Sequence, residues 1–221
     1  MSFAFDVKLN GISIQRVKST KFLGVIIDEH VKWSEHIMSI KSKMAKGIGI
    51  LYKAKKILPI TTIKDMYYTF VYPYLVYCNE IWGSASDCYL ACLFKLQKRV
   101  VRLLTSSGFR DHTDELFKMT KVLTVYQIYK SCILHFMFKY YKGILPNLYT
   151  GMFQCNANVH SHNTRQSREL HIPRYKHSAL QKSVGYQGVK LWNQVLKIID
   201  TNCSLANFKQ KVKSCLIEDK M

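Results

Sequence analysis

The sequence predicts a mainly α fold, in which a small N-terminal β-hairpin or three-strand unit leads into a bundle of about five to seven helices and a loop-rich basic C-terminal segment. Three observations carry that prediction. Asn10-Gly11 lies between runs of alternating apolar residues, the strongest short-range hairpin signal, because both turn residues need positive φ. Downstream, apolar residues recur at three- and four-residue steps over long stretches, the signature of helices with one buried face. From Asn147 onward that periodicity fades and polar and basic residues take over. The expected organisation is residues 1–33 as the β unit, 34–146 as the helical domain, and 147–221 as a loop-rich region with two short helices.

Composition narrows the function classes. With 48% hydrophobic and 13% aromatic residues among 221, the chain has a core to bury and is not mostly disordered. Its 33 Lys and Arg against 14 Asp and Glu give a net charge of +19. A balance that basic points to a polyanionic partner, nucleic acid or an anionic membrane surface, rather than to a merely soluble basic protein. The uncharged, apolar run from Met66 to Asn79 contains Pro73 and is too short for a membrane span, and no continuous apolar run opens the chain. The expectation is a nucleic-acid partner, no membrane, and an intracellular location, cytoplasmic or nuclear. The cysteines number 7, an odd count without paired spacing, which favours a reducing compartment over a disulfide framework. Asn202-Cys203-Ser204 matches a glycosylation acceptor, which has no meaning without secretion.

In chain order, Phe3, Phe5, Val7 and Leu9 alternate before the Asn10-Gly11 turn, and Ile12, Ile14 and Val17 follow it. The β-branched run Val25-Ile26-Ile27 reads as a strand from Phe22 to Ile27 that joins the hairpin as a third strand. Gly24 within it marks a bulge or a close backbone approach. Ser34 is placed to cap a helix over 34–57, whose buried stripe is Ile37, Ile40, Met44, Ile48 and Leu51. Its other faces carry Lys41, Lys43, Lys46, Lys53, Lys55 and Lys56, with no acid between residues 36 and 64. A merely solvated face usually alternates sign to form i, i+4 pairs, so unpaired lysines favour phosphate contact. Gly47-Ile48-Gly49 is only a fragment of a phosphate loop and lies inside the helix.

Leu58-Pro59 ends that helix, and Thr62-Ile63-Lys64-Asp65 resembles a capping box opening the next. Residues 63–82 are apolar on most sides, with Met66, Phe70, Val71, Leu75, Val76, Ile81 and Trp82 among tyrosines 67, 68, 72, 74 and 77. This stretch reads as a core helix, kinked or split by Pro73, rather than as a base-stacking platform. Ser86 caps a helix over 87–105, with Leu90, Leu93, Leu96 or Gln97, Val100, Leu103 and Leu104 inward and Gly108 closing it. Lys95, Lys98, Arg99 and Arg102 make it a second basic element, with no acid between residues 88 and 110. Thr113 and Thr124 cap helices over 114–120 and 125–142, the second ended by Gly143 with Pro146 beyond. Residues 154–188 read as loop with short extended pieces such as 170–175. Helices over 188–199 and 204–217 finish the chain, the last capped by Ser204 and packed through Leu205, Phe208, Val212 and Leu216.

Catalytic chemistry finds little support in the residues. His160-Ser161-His162 near Cys155 has ligand types but lacks the two closely spaced pairs of a zinc site. Two-metal phosphoryl transfer needs clustered carboxylates, whereas Asp28-Glu29, Asp114-Glu115 and Glu218-Asp219 lie scattered at helix starts or the chain end. Read from the residues alone, this chain leans away from being an enzyme.

A set of motifs, in order, adds a resemblance. Lys21-Phe22-Leu23-Gly24-Val25 with Asp28, Trp33 and His36-Ile37 resembles the primer-grip segment of reverse transcriptases from non-LTR, LINE-type (jockey-like) retrotransposons. Leu51-Tyr52-Lys53 to Leu58-Pro59, then Tyr67-Tyr68, Tyr72-Pro73-Tyr74-Leu75 and Tyr77-Cys78-Asn79 to Trp82-Gly83, resemble the thumb and the helices after it. Leu96-Gln97-Lys98-Arg99-Val100-Val101-Arg102 is similar to the family's basic helix. His162-Asn163-Thr164-Arg165 and Tyr186-Gln187-Gly188-Val189-Lys190-Leu191-Trp192-Asn193 are similar to its C-terminal end. The resemblance implies that Phe22, Leu23 and Gly24 lie at a hairpin holding the primer's 3′ end. It also implies that the helix carrying Lys41 to Lys56 tracks the template–primer backbone as the thumb. The catalytic aspartates of the palm have no counterpart here, so any Mg²⁺ would belong to a palm outside this chain and no cofactor is expected. The chain then reads as a truncated polymerase fragment that binds nucleic acid, with Phe3 and Phe5 at an unpaired strand edge. The alternatives are a non-catalytic relic or helical protein-interaction module without a nucleic-acid role, and a subunit completed in trans by a separate palm.

Overall fold

The computed structural model describes residues 7–159, 165–167 and 169–220. The readings that concern Phe3, Phe5, His160, His162, Asn163 and Thr164 fall outside the described residues.

The fold is mainly α with an N-terminal β unit. Strand β1 (Lys8–Leu9) pairs antiparallel with β2 (Ile12–Ser13), Leu9 opposite Ile12. Asn10 and Gly11 turn between them at φ 50 and 82, as the dipeptide predicts. The next segment departs from expectation. Residues 22–27 are not one strand but the two sides of a second hairpin, β3 (Ser19–Phe22) against β4 (Val25–Asp28), with Phe22 opposite Val25. Leu23 (φ 45) and Gly24 (φ 86) form its turn, so Gly24 is neither a bulge nor mid-strand. The two ribbons are separate sheets, and among the described residues no third strand joins the first. A two-residue turn with positive φ at both positions reverses the chain, and the β-branched run that follows belongs to β4 alone.

A carboxylate joins β4 to the first helix. Asp28 Oδ1 accepts from the N–H groups of His30 (3.1 Å) and Lys32 (3.0 Å), and Oδ2 from Trp33 (2.8 Å). Slight burial raises its pKa, but these donors outweigh that and hold the carboxyl below its ordinary value. They also brace Val31 and Trp33 in the left-handed region (φ 52 and 65), where a β-branched residue is rare. Helix α1 (Ser34–Ala54) therefore starts from Trp33 without a side-chain cap, and Ser34 lies inside it. It stops at Ala54, short of residue 57, and its predicted stripe is buried throughout.

Helix α2 (Ile60–Phe70) opens directly after Pro59, whose extended backbone (φ −66, ψ 155) serves as the cap position, so Thr62 is a helical residue rather than a cap. The predicted single helix over 63–82 is three pieces: α2, α3 (Tyr72–Val76) and α4 (Asn79–Trp82). Pro73 in the first turn of α3 accounts for the first break; Cys78, at φ 50, makes the second. Of its apolar residues, Val71, Leu75 and Trp82 are buried, whereas Phe70 and Ile81 are exposed.

Helix α5 (Asp87–Thr105) has the predicted bounds and inward face, with both Leu96 and Gln97 buried. Ser106 in the left-handed region ends it, not Gly108, and neither Ser86 nor Thr113 caps through its side chain. Helix α6 (Asp114–Thr120) leads to α7 (Val125–Tyr141), whose start is a true capping box: Thr124 accepts from the Gln127 N–H while Gln127 Oε1 accepts from the Thr124 N–H. Beyond it come short helices α8 (Asn156–Val159) and α9 (Ser178–Gln181), unforeseen in the sequence, and a π-helical turn at Val184–Gly188. Then follow α10 (Val189–Val195) and α11 (Leu205–Ile217), the latter capped by the Ser204 hydroxyl.

One apolar core runs from Val25 to Leu216. Helix α1 lies against α2 and α5, while α7 is the central element, touching α3, α4, α5, α10 and α11. Gln97 is the polar centre of this core. Its Nε2 donates to the Leu123 carbonyl (3.0 Å) and the Tyr67 hydroxyl (3.4 Å), and its Oε1 accepts from the Val125 N–H (2.7 Å). These bonds satisfy the backbone just where α7 begins.

Candidate nucleic-acid interface

Packing of α1 on α5 sets the geometry of the basic surface. Lys55 Nζ, just past the end of α1, donates to the Leu103 carbonyl on the last turn of α5 at 2.7 Å. Nearer the helix starts, Cys92 on α5 is pushed up in pKa by burial and pulled down by Lys41 of α1 and more weakly by Lys95. The two helices therefore run side by side in the same direction, with Lys41 and Lys55 bordering the seam.

On α5, Lys95, Lys98, Arg99 and Arg102 follow i, i+3, i+4, i+7 spacing and fall on one outward stripe. On α1, Lys46 and Lys53, one heptad apart, point away from the core and are exposed. Beyond the first turns, marked by Glu35 and Asp87, neither helix carries a carboxylate. None of these cations has a carboxylate partner among the described residues, whose ion pairs involve Arg16, Lys118, Lys197, Lys220 and His30.

The structure does not bring every candidate to one face. Lys55, Arg99 and Arg102 line one recess at the end of the α1–α5 seam, Lys41 and Lys95 flank Cys92 nearer the helix starts, and Lys46, Lys53 and Lys56 are exposed on the solvent side of α1. Lys43 leaves it for the opposite edge of α1, its Nζ 5.5 Å from the Tyr74 ring centroid. Lys98 leans the other way, 4.6 Å from the centroid of Phe94. Arg102 is partly committed internally, through Nε and Nη2 to the Asp111 carbonyl at 3.2 and 2.8 Å.

Phe22, Leu23 and Gly24 form the tip of the second hairpin, with Phe22 63% and Leu23 73% exposed. The tip is tethered: the Tyr77 hydroxyl donates to the Leu23 carbonyl at 2.6 Å, and the Tyr77 ring edge lies 3.6 Å from where a Gly24 Cβ would stand. Behind it His36 is buried. The Ile26 N–H donates to its Nδ1 at 3.3 Å, so the proton of the neutral ring sits on Nε2. Burial, with Lys43 nearby, lowers its pKa and keeps the ring uncharged. His36 meets Trp82 edge to face at 5.7 Å, and Trp82 Nε1 donates to the Tyr77 carbonyl at 2.8 Å. The His36, Tyr77 and Trp82 motif residues thus hold the hairpin on the helical body.

One residue of this surface, Phe109, was not singled out in the sequence. Tyr52 and Phe109 line a recess of about 230 Å³ with Lys55, Arg99 and Arg102 at the far end of the seam. A glycine-preceded phenylalanine in a polar loop, Gly108-Phe109-Arg110, is the signal that could have drawn attention to it. Among the described residues no group of three or more His, Cys, Asp or Glu side chains is placed to hold a metal ion, and no helix is long and apolar enough to cross a membrane.

Comparison with known proteins gives this surface its context. The chain is 26% identical over 124 residues to the probable RNA-directed DNA polymerase of the X-element transposon of Drosophila melanogaster, covering 54% of this chain and 14% of that protein. It is 25% identical over 120 residues to the RNA-directed DNA polymerase of the mobile element jockey from the same organism, covering 52% of this chain and 13% of the relative. The chain carries a region related to LINE-type reverse transcriptases. It spans about a seventh of the length of these relatives. No family model matches the chain, and no solved structure matches it.

Proposed function

We propose that this chain grips template–primer nucleic acid as a thumb-like module of a LINE-type reverse transcriptase. In this reading the outward cations of α1 and α5 hold phosphates, and the Phe22-Leu23-Gly24 tip sits at the primer end. The observation that carries the reading is the α1–α5 surface itself: two side-by-side helices presenting Lys41, Lys46, Lys53, Lys95 and Arg99 with no carboxylate beyond their first turns. Unneutralised lysine and arginine in rows match a linear polyanion, and their contacts are sequence-tolerant because phosphates carry no base identity. The reading assigns binding, not nucleotidyl transfer, to these residues, and it needs no cofactor. It places the chain where such nucleic acid is found, in the cytoplasm or nucleus.

The test is fluorescence anisotropy of the folded chain against a labelled RNA–DNA primer–template at several salt concentrations. The expected result is a linear fall of log K with log salt, with a slope near −0.9 for each phosphate neutralised on a duplex. A folded chain that fails to bind at low salt overturns the reading.

A further inference from the structure

The recess at the far end of the α1–α5 seam differs from the rest of the basic surface because it is aromatic and pre-shaped. Phe109 is 80% exposed, yet the turn that carries it is braced from several sides. The Asp111 carboxylate accepts from the Gly108 N–H at 2.6 Å, the Asp111 N–H donates to the Gly108 carbonyl at 3.2 Å, and Arg102 clamps the Asp111 carbonyl with two donors. The Arg102 guanidinium carbon also lies 5.9 Å from the Phe109 ring centroid. Tyr52, half-exposed, lines the same recess together with Arg99 and Lys55. An exposed phenylalanine is unremarkable by itself. One held on a braced turn, with Arg102 over its ring and a second aromatic and two further cations lining the same recess, is a platform.

From this arrangement we infer that the recess takes a single unpaired nucleotide, its base stacked on Phe109 and its phosphate held by Arg99. The volume of about 230 Å³ is below the ~300 Å³ where pockets for whole small ligands begin, which suits one flat group continuous with a strand outside. Aromatic stacking beside cations is sequence-tolerant and serves strands whose bases are free, whereas the lysines of α1 serve any phosphate backbone. The inference rests on the nucleic-acid reading above and adds to it a preference for a single-stranded overhang.

The test uses the full chain and two RNA–DNA hybrids, one blunt and one with an overhang carrying 2-aminopurine as the unpaired base. Binding is expected to quench the 2-aminopurine. Phe109→Ala is expected to abolish the quenching and to weaken the overhang substrate about tenfold while leaving the blunt hybrid unchanged. Phe109→Tyr is expected to restore both. Because Phe109 is outside the core, circular dichroism melts of the variants should match the parent chain. Persistent quenching in Phe109→Ala, or equal losses on the two hybrids, overturns the stacking site while leaving the phosphate grip standing. Failure of the parent chain to bind either hybrid removes the grip and the stacking site together.

Discussion

The Tyr77 hydroxyl donates to the Leu23 carbonyl at 2.6 Å, tying the turn of a solvent-facing hairpin to the linker between α3 and α4. Two residues far apart in sequence thereby fix where the Phe22-Leu23-Gly24 tip sits relative to the helices. Tyr77→Phe removes only this donor. The expected result is an almost unchanged melting temperature, because the bond is exposed, together with faster amide exchange at Gly24 and Val25. Unaltered exchange there would mean that ring packing, not the hydroxyl, holds the tip.

The phosphate grip makes a quantitative claim about α1. Replacing Lys46 and Lys53 together by Glu should weaken binding to the primer–template and reduce the salt slope by roughly two, about 0.9 for each lost phosphate contact. Stability should hold, since both side chains are exposed and lack carboxylate partners among the described residues. A salt slope equal to the parent's would exclude these lysines from the contact.

Two glycines, one just past the end of α4 and one inside α1, separate packing from propensity. At Gly83 a Cβ would stand 2.4 Å from Tyr129 Cδ2, 2.5 Å from Asn79 Oδ1 and 2.6 Å from the Asn79 carbonyl oxygen. Gly83→Ala should therefore cost about 3 kcal/mol in urea unfolding, the upper range for overpacking. Gly49 lies within α1 with nothing within 4 Å of a Cβ, so Gly49→Ala should stabilise by about 0.5–1 kcal/mol. Two shifts of the same sign would contradict the packing described.

Stability should fall as the solution is acidified. Burial, then Lys209 and Lys139, lower His135 from 6.5 to about 4, and burial with Lys43 lowers His36. Above pH 6.5 both rings are neutral folded or unfolded, and contribute no pH dependence. Below it the unfolded chain takes up protons that the folded chain refuses, so stability drops between pH 6.5 and about 4, by on the order of 3 kcal/mol for His135. Urea midpoints at pH 7.5 and 5 measure it, and a His135→Leu variant should show a shallower decline. A midpoint independent of pH over that range would refute the buried neutral state.

Where a pattern is local, the sequence was readable. The Asn10-Gly11 hairpin, the bounds of α5, the Thr124 cap and the buried face of α11 follow from turn chemistry or 3.6-residue periodicity. What escaped depends on partners distant in the chain. Gln97 reads as half-polar on a helical wheel, yet it is buried because Leu123, Val125 and Tyr67, 26 to 30 residues away, use all of its bonds. Cys78 bears no mark of the positive φ that ends α3, and Leu23-Gly24 hides a turn inside a β-rich run. Of the candidate site, the cations were legible but their grouping was not. Lys43 is drawn off the shared surface by Tyr74, on another helix, whose position only packing decides; Lys98 is drawn off by Phe94, one turn earlier on α5, a local pairing that the helical spacing allows but does not single out.

Gly47 bears on this chain's tolerance to change over generations. A Cβ there would meet the Phe70 carbonyl oxygen at 2.9 Å, so α1 and α2 approach each other through bare backbone. Backbone cannot retreat as a side chain can, so no compensating substitution at Phe70 relieves a larger residue at 47. Related sequences that drift freely at the surface lysines should therefore keep glycine here wherever this packing of α1 on α2 is retained.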